Sequence, residues 1–162
     1  MTSLPKTYRN ISDLVLFHIY TEKLFASHQI ALMQNDPPGA ISILSGLEQL
    51  IGWHIKDEEE LLLPPYEQLV QPIPPGGAIE FFRREHQQIL GFLRRFKAHQ
   101  PFQQNEISIV HYFDMCTMYK ELIEHHHARE HTFLYCLLDQ KLSVGQKRQI
   151  LLKFKTHQIN AI

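Results

Sequence analysis

The chain has 162 residues, 16 Lys+Arg against 17 Asp+Glu, a net charge of −1 and eleven histidines. Charges of both signs are interspersed, so there is no basic face for nucleic acid. The opening residues lack the apolar stretch of a signal peptide, and no run has the length and apolarity of a membrane span. The length fits one domain over residues 1–162. Cys116 and Cys136 fall on one predicted helix about 30 Å apart, too far to pair, which is the expectation for a cytoplasmic protein in a reducing compartment.

Five helices are predicted, and no segment alternates with period 2. The first, about 11–34, follows an N-cap signal at Asn10 and carries Ile11, Leu14, His18, Phe25, His28 and Leu32 on one stripe. Asn35-Asp36-Pro37-Pro38-Gly39 reads as the turn that ends it. The second, about 40–63, places Ile43, Leu47, Leu50, Ile51, His54, Glu58 and Leu61 inward; Pro64-Pro65 interrupts it, and Tyr66 to Val70 can add a further turn. A Pro-Gly loop leads to the third, about 78–98, with Phe82, His86, Ile89, Leu90, Leu93 and Phe96. After a polar loop, His99 to Asn105, the fourth and longest runs over about 106–139 without proline or glycine. Ser143-Val144-Gly145-Gln146 has capping-box spacing and starts a short fifth helix, about 144–157. Short connections between helices of similar length predict an all-α fold: an antiparallel up-down-up-down four-helix bundle with a short C-terminal helix.

The chemistry concentrates in the fourth helix, Leu122 to Tyr135, where His125, His126, His127 and His131 lie beside Glu124 and Glu130. Adjacent helical residues point about 100° apart, so these histidines cannot all serve one site. His126 and Glu130, four apart, share a face and offer an imidazole nitrogen and a carboxylate to one divalent ion. His54 and Glu58 repeat that spacing on the second helix.

Residues at one level of an antiparallel pair lie symmetrically about their connecting loop. The midpoint of 18 and 54 is residue 36, that of 58 and 86 is 72, and that of 86 and 126 is 106; each falls within or at the edge of a loop. His18, His54, Glu58, His86, His126 and Glu130 can therefore form one layer. His28 competes for the first helix, but its midpoint with His54 is 41, already inside the second, so His18 is preferred. Two carboxylates and four imidazoles inside a bundle need a metal, because buried carboxylates crowded together cannot both ionise cheaply. Two ions, each taking about two histidines, would retain open positions, which suits iron or manganese better than a closed structural zinc site.

Other motifs are weaker. His127-Ala128-Arg129-Glu130-His131 fits the H-x-x-E-H zinc-protease pattern, but lacks a credible downstream ligand beyond His157. A ferritin-like site needs two E-x-x-H pairs, and the second helix has none. Glu59 and Glu60 read as solvated or outer-shell carboxylates. His125, His127 and His131 read as surface or supporting groups, and Tyr20, Tyr112 and Tyr119 as packing residues. His99, His111 and His157 are assigned no role.

H-x-x-x-E-E-E-L-L-L-P from His54, R-E-H ending at His86 and E-H-H-x-x-R-E-x-x-x-L-Y from Glu124 to Tyr135 resemble the hemerythrin-like HHE cation-binding domain family. The resemblance spans the first four helices. It implies a four-helix bundle around a non-haem, oxo- or hydroxo-bridged di-iron centre, with manganese or zinc as substitutes for the two iron ions. By position it implies the metal ligands His18, His54, Glu58, His86, His126 and Glu130. Oxygen-carrying members have histidine where this chain has Leu90, and aspartate where it has Glu130; both differences lean toward the HHE and iron-centre-repair branches. Cys136 stands where relatives commonly have proline. The expected function is binding or sensing of O2, NO or redox and iron status, with no catalytic residue assigned. The alternatives are a di-iron enzyme of iron-centre repair or of peroxide or NO detoxification, and a non-catalytic interaction bundle. No nucleic-acid or membrane partner is expected. An apolar wall of Phe25, Leu50, Leu61, Ile89 and Phe133 is expected to shield the layer.

Overall fold

The computed structural model describes residues 8–99 and 106–154. The chain is an all-α helical bundle, with no strand among the described residues. A 3-10 turn, Ile11–Leu14, leads into α1, Val15–Met33. Its free backbone donors are satisfied from two sides. Asp13 accepts from the amides of Arg9 and Asn10, and Asp139, distant in sequence, accepts from those of Ile11 and Ser12.

Asn35, with φ of 55°, turns the chain into α2, Pro37–Leu61. Pro37-Pro38-Gly39 therefore belongs to the helix rather than to the turn before it. Asp36 caps this end by accepting from the Gly39 amide at 3.1 Å, and proline fits the first turn because the N–H it lacks would have no helical partner. At Gly39 a Cβ would overlap the capping carboxylate. The helix stops at Leu61, and α3, Leu63–Leu69, restarts with Pro64 and Pro65 in its opening turns.

The third predicted helix is α4, Ile79–Ala98. The fourth is not one regular helix: α5, Glu106–Arg129, passes through a π-helical turn, Glu130–Tyr135, into α6, Cys136–Lys141. The last, α7, Val144–Leu151, has the expected Ser143–Gln146 capping box. It ends six residues before the predicted 157, as the chain tightens to bury Phe154 in the core. Residues 155–157, with His157, and residues 100–105 of the polar loop lie outside the described residues.

Side-chain contacts give the directions of the helices. His18 meets His54 while His28 meets Ala40, so α1 and α2 are antiparallel. Glu59 meets His86 while Glu48 meets Lys97, and Glu85 meets His126 while Phe96 meets Tyr112, which sets α2 against α4 and α4 against α5 in the same sense. Two apolar clusters fill the interior. One, near the α1 start and α6, includes Leu14, Tyr66, Phe82, Leu138 and Phe154. The other, toward the opposite end, includes Phe25, Leu47, Phe96, Tyr112 and Tyr119. Between them lies a layer of buried histidines and carboxylates. No helix among the described residues is long and apolar enough to cross a membrane.

Candidate metal centre

All six residues expected in the layer come together, and each is at most 5 % exposed. α1 supplies His18, α2 His54 and Glu58, α4 His86, α5 His126, and the π-helical turn Glu130. They form two overlapping groups, His18/His54/Glu58/Glu130 and Glu58/His86/His126/Glu130, with candidate donor atoms in each within 4.8 Å of one another.

The overlap has a specific geometry. Glu130 Oε2 faces His18 Nε2 at 3.3 Å, while its Oε1 faces His86 Nε2 at 3.2 Å and His126 Nε2 at 2.9 Å. Glu58 Oε1 faces His54 Nε2 at 3.3 Å, and its Oε2 faces His86 Nε2 at 3.5 Å. Each glutamate thus presents one oxygen to each half of the layer. His28 does not share it: its Nδ1 contacts the Ala40 carbonyl and its Nε2 the Tyr112 hydroxyl, at 2.9 and 2.8 Å.

The two halves are supported differently. In the His86/His126 half, each Nδ1 meets a carboxylate: Glu59 at 2.9 Å from His86 and Glu85 at 3.1 Å from His126. Glu85 is held in turn by Arg129, whose Nε donates to it at 2.9 Å and whose Nη1 donates to the Gly76 carbonyl. This carboxylate–histidine arrangement fixes ring orientation and makes a histidine a stronger metal ligand. In the His18/His54 half, both Nδ1 atoms are buried without a hydrogen-bond partner. Rings are held there by stacking, Phe17 against His54 at 4.3 Å between centroids and His127 against His18 at 3.7 Å.

Electrostatics follow the same division. Burial lowers the His18 pKa well below its ordinary value, and the neighbouring His127 and His54 add to that effect. Burial acts the same way on His86, yet hydrogen bonds to Glu130, Glu58 and Glu59 outweigh it and push the imidazole up to about 11. His126 is likewise raised to about 9 against the pull of burial, by Glu130 and Glu85. Burial favours a neutral Glu58, but His54 and His86 hold it well below the usual carboxylate range. Glu130 is lowered too: His126 and His86 overcome burial and the repulsion of Glu58. The layer therefore keeps its two carboxylates ionised and its first-helix histidine neutral.

The donor set fits divalent metal. Four Nε2 atoms converge on two ionised carboxylates, all out of water, and the donor facing Glu58 Oε2 is the His86 Nε2 at a long 3.5 Å. Oxygen and imidazole ligands of this mixture suit iron or manganese. A cavity of about 20 Å³ adjoins the layer against His18, His54 and His126, under Ile51, Ile89 and Ile123. That is room for about one water-sized molecule. A cleft of about 370 Å³ between α1 and α5 shares Thr21 and Ile123 with it. Of the expected apolar wall, Ile89 lines the cavity; Phe25 belongs to the far cluster, and Leu50, Leu61 and Phe133 are only partly buried.

Two residues of the layer escaped the sequence reading. Glu85 sits in the quoted R-E-H string directly before His86, but helical geometry sends adjacent side chains about 100° apart, so it did not read as part of the same site. The structure aims it at His126 across the α4–α5 contact. Tyr135 was hidden by its spacing: in an α-helix a residue five after Glu130 points about 140° away from it. The π-helical turn, with its i→i+5 bonding, stacks residues five apart and returns Tyr135 to the layer. Only an unusual helix signal at this point would have exposed it.

An antiparallel helical bundle with histidines and shared glutamates buried across its middle defines a class of cation-binding helical domains. The hemerythrin HHE cation binding domain family matches residues 9–138, and the chain belongs to that family. No curated protein and no solved structure gives a significant match.

Proposed function

We propose that the protein holds two non-haem iron ions in the two halves of the layer and binds or senses O2, NO or the redox and iron status of a cytoplasmic compartment. The observation that carries this reading is the sharing of both glutamates, each with one oxygen toward each half. A single ion needs no such division; two neighbouring ions do. His18, His54, Glu58, His86, His126 and Glu130 are the proposed ligands, with manganese or zinc as substitutes for iron. When bound, iron would supply reversible one-electron chemistry and affinity for small diatomic ligands.

The chain's own residues set the conditions for that chemistry. Glu59 and Glu85 orient His86 and His126, and the isoleucines over the small cavity exclude bulk water and large substrates. The cavity, with room for about one water-sized molecule, supports binding or sensing of a very small ligand ahead of an enzymatic role on a bulky substrate. Metal analysis of protein purified from iron-supplemented cells, with absorption spectra before and after O2 and NO, tests the reading. About two irons per chain and spectra that respond to either gas are expected; fewer than about one iron would sink it.

A further inference from the structure

Tyr135 has an environment that packing alone does not explain. It is fully buried, at 0 % exposure, yet its hydroxyl lies among the candidate donor atoms of the His18/His54 half. The oxygen is 3.0 Å from His18 Nε2, 3.4 Å from His54 Nε2 and 3.4 Å from Glu130 Oε2, and it donates a short hydrogen bond to Glu58 Oε1. These four partners are the four members of one metal-holding group. Resting on the two-ion reading above, we propose that Tyr135 is a further metal ligand, giving the His18/His54 ion a phenolate oxygen that the His86/His126 ion lacks.

Space supports the assignment first. Metal–ligand bonds to nitrogen and oxygen are about 2.0–2.2 Å. An ion gripped by those four donors would occupy the space the hydroxyl already samples. An oxygen in contact with all four cannot remain a bystander; it coordinates or it must withdraw. Withdrawal is opposed by the surroundings, because Leu134, Tyr135 and Leu138 are all at 0 % exposure in the packed cluster around α6.

Charge supports it independently. The His86/His126 half has two further carboxylates, Glu59 and Glu85, behind its imidazoles. Among the described residues, no carboxylate is hydrogen-bonded behind the imidazoles of the His18/His54 half, and both of its Nδ1 atoms lack a partner. A phenolate supplies the missing negative charge at the place it is missing. The phenol proton leaves to solvent as the bond to the ion forms, so no oxidant or other reactant is needed. The local backbone also fits: the chain leaves α-helical geometry over Glu130–Tyr135, and that departure brings the ring into line with Glu130.

Resonance Raman and visible absorption of the iron-loaded, oxidised full chain test the proposal, with iron counted on the same samples. Wild type is expected to hold two irons and show a phenolate-to-iron(III) charge-transfer band with coordinated-tyrosinate ring modes. Tyr135→Phe is expected to lose both signatures while retaining iron in the His86/His126 half. Two irons in wild type without tyrosinate modes would overturn the ligand assignment and leave the two-ion reading intact. Higher iron content in Tyr135→Phe than in wild type would also overturn it, because the hydroxyl would then be a plug. Wild type without iron would sink both readings, and the metal count separates that outcome from the others. The wild-type spectrum decides the matter even if the variant does not fold.

Discussion

The two halves of the buried layer share Glu58 and Glu130 but are built on opposite principles. His86 and His126 are steered by the hydrogen bonds they donate to carboxylates, which raise their basicity and add negative charge around them. His18 and His54 are steered by stacked rings, and burial keeps His18 neutral. A carboxylate-backed half should hold a cation firmly; a ring-backed half should hold it more loosely and respond more readily to what binds there. Nearly symmetric sequence motifs, two H-x-x-x-E pairs, thus produce an asymmetric centre. The asymmetry comes from neighbours outside the motifs.

The strongest way to break the comparison is to remove what the halves share. Glu130→Ala should abolish iron binding in both, measured as metal per chain, because it takes one oxygen from each half and leaves the Nε2 atoms of His86 and His126 without the carboxylate oxygen they share. Next, His54→Ala should leave about one iron per chain, held by His86 and His126, with mononuclear rather than coupled magnetic behaviour. If it empties both halves, they are not separable. Glu85→Gln acts on one half alone, weakening metal affinity there by about 10- to 100-fold in a chelator competition while the His18/His54 half changes little.

Two smaller effects sharpen the contrast by lying outside it. His28→Ala should leave iron content unchanged and lower stability to denaturant by about 1–3 kcal/mol, since it strands the buried Tyr112 hydroxyl and removes the side-chain contact to the Ala40 carbonyl. Loss of iron would instead return His28 to the layer. Asp139 supplies the smallest. Hydrogen bonds from Ser12 and Ile11, with Lys147 nearby, outweigh burial and hold its carboxyl below the usual value. A depressed folded pKa means the unfolded chain takes up the proton first as pH falls. The stabilisation is therefore fully present above about pH 4 and is lost as pH drops through the lowered value. Asp139→Ala should cost roughly 0.5–2 kcal/mol at neutral pH. Melts of both proteins should differ from pH 5 to 8 and converge in the acid range.

Much of this architecture is legible in the residues themselves. Loop midpoints at 36, 72 and 106 bring six polar side chains to one level, and the level exists in the structure because neighbouring helices run antiparallel. The same reasoning separates His18 from His28. Legibility fails where local geometry departs from the regular helix. Pro37-Pro38 looks like an ending and is a beginning, because the Asp36 cap decides which side of the prolines is helical. The predicted fourth helix hides a π-helical turn that no periodicity signals, and with it the place of Tyr135. Glu85 depends on a contact between two helices, which spacing along one of them does not encode.

The layer also divides the interior. Phe25, Leu47, Phe96 and Tyr119 pack on one side of it, and Leu14, Tyr66, Phe82 and Phe154 on the other. A bundle cut across by charge has a seam, and a seam limits how far order on one side propagates to the other. An ion held by residues from four helices would close that seam, because it would tie the two apolar blocks into one cooperative unit. The layer would then also be a rivet, and its occupancy would be read in how the whole bundle melts.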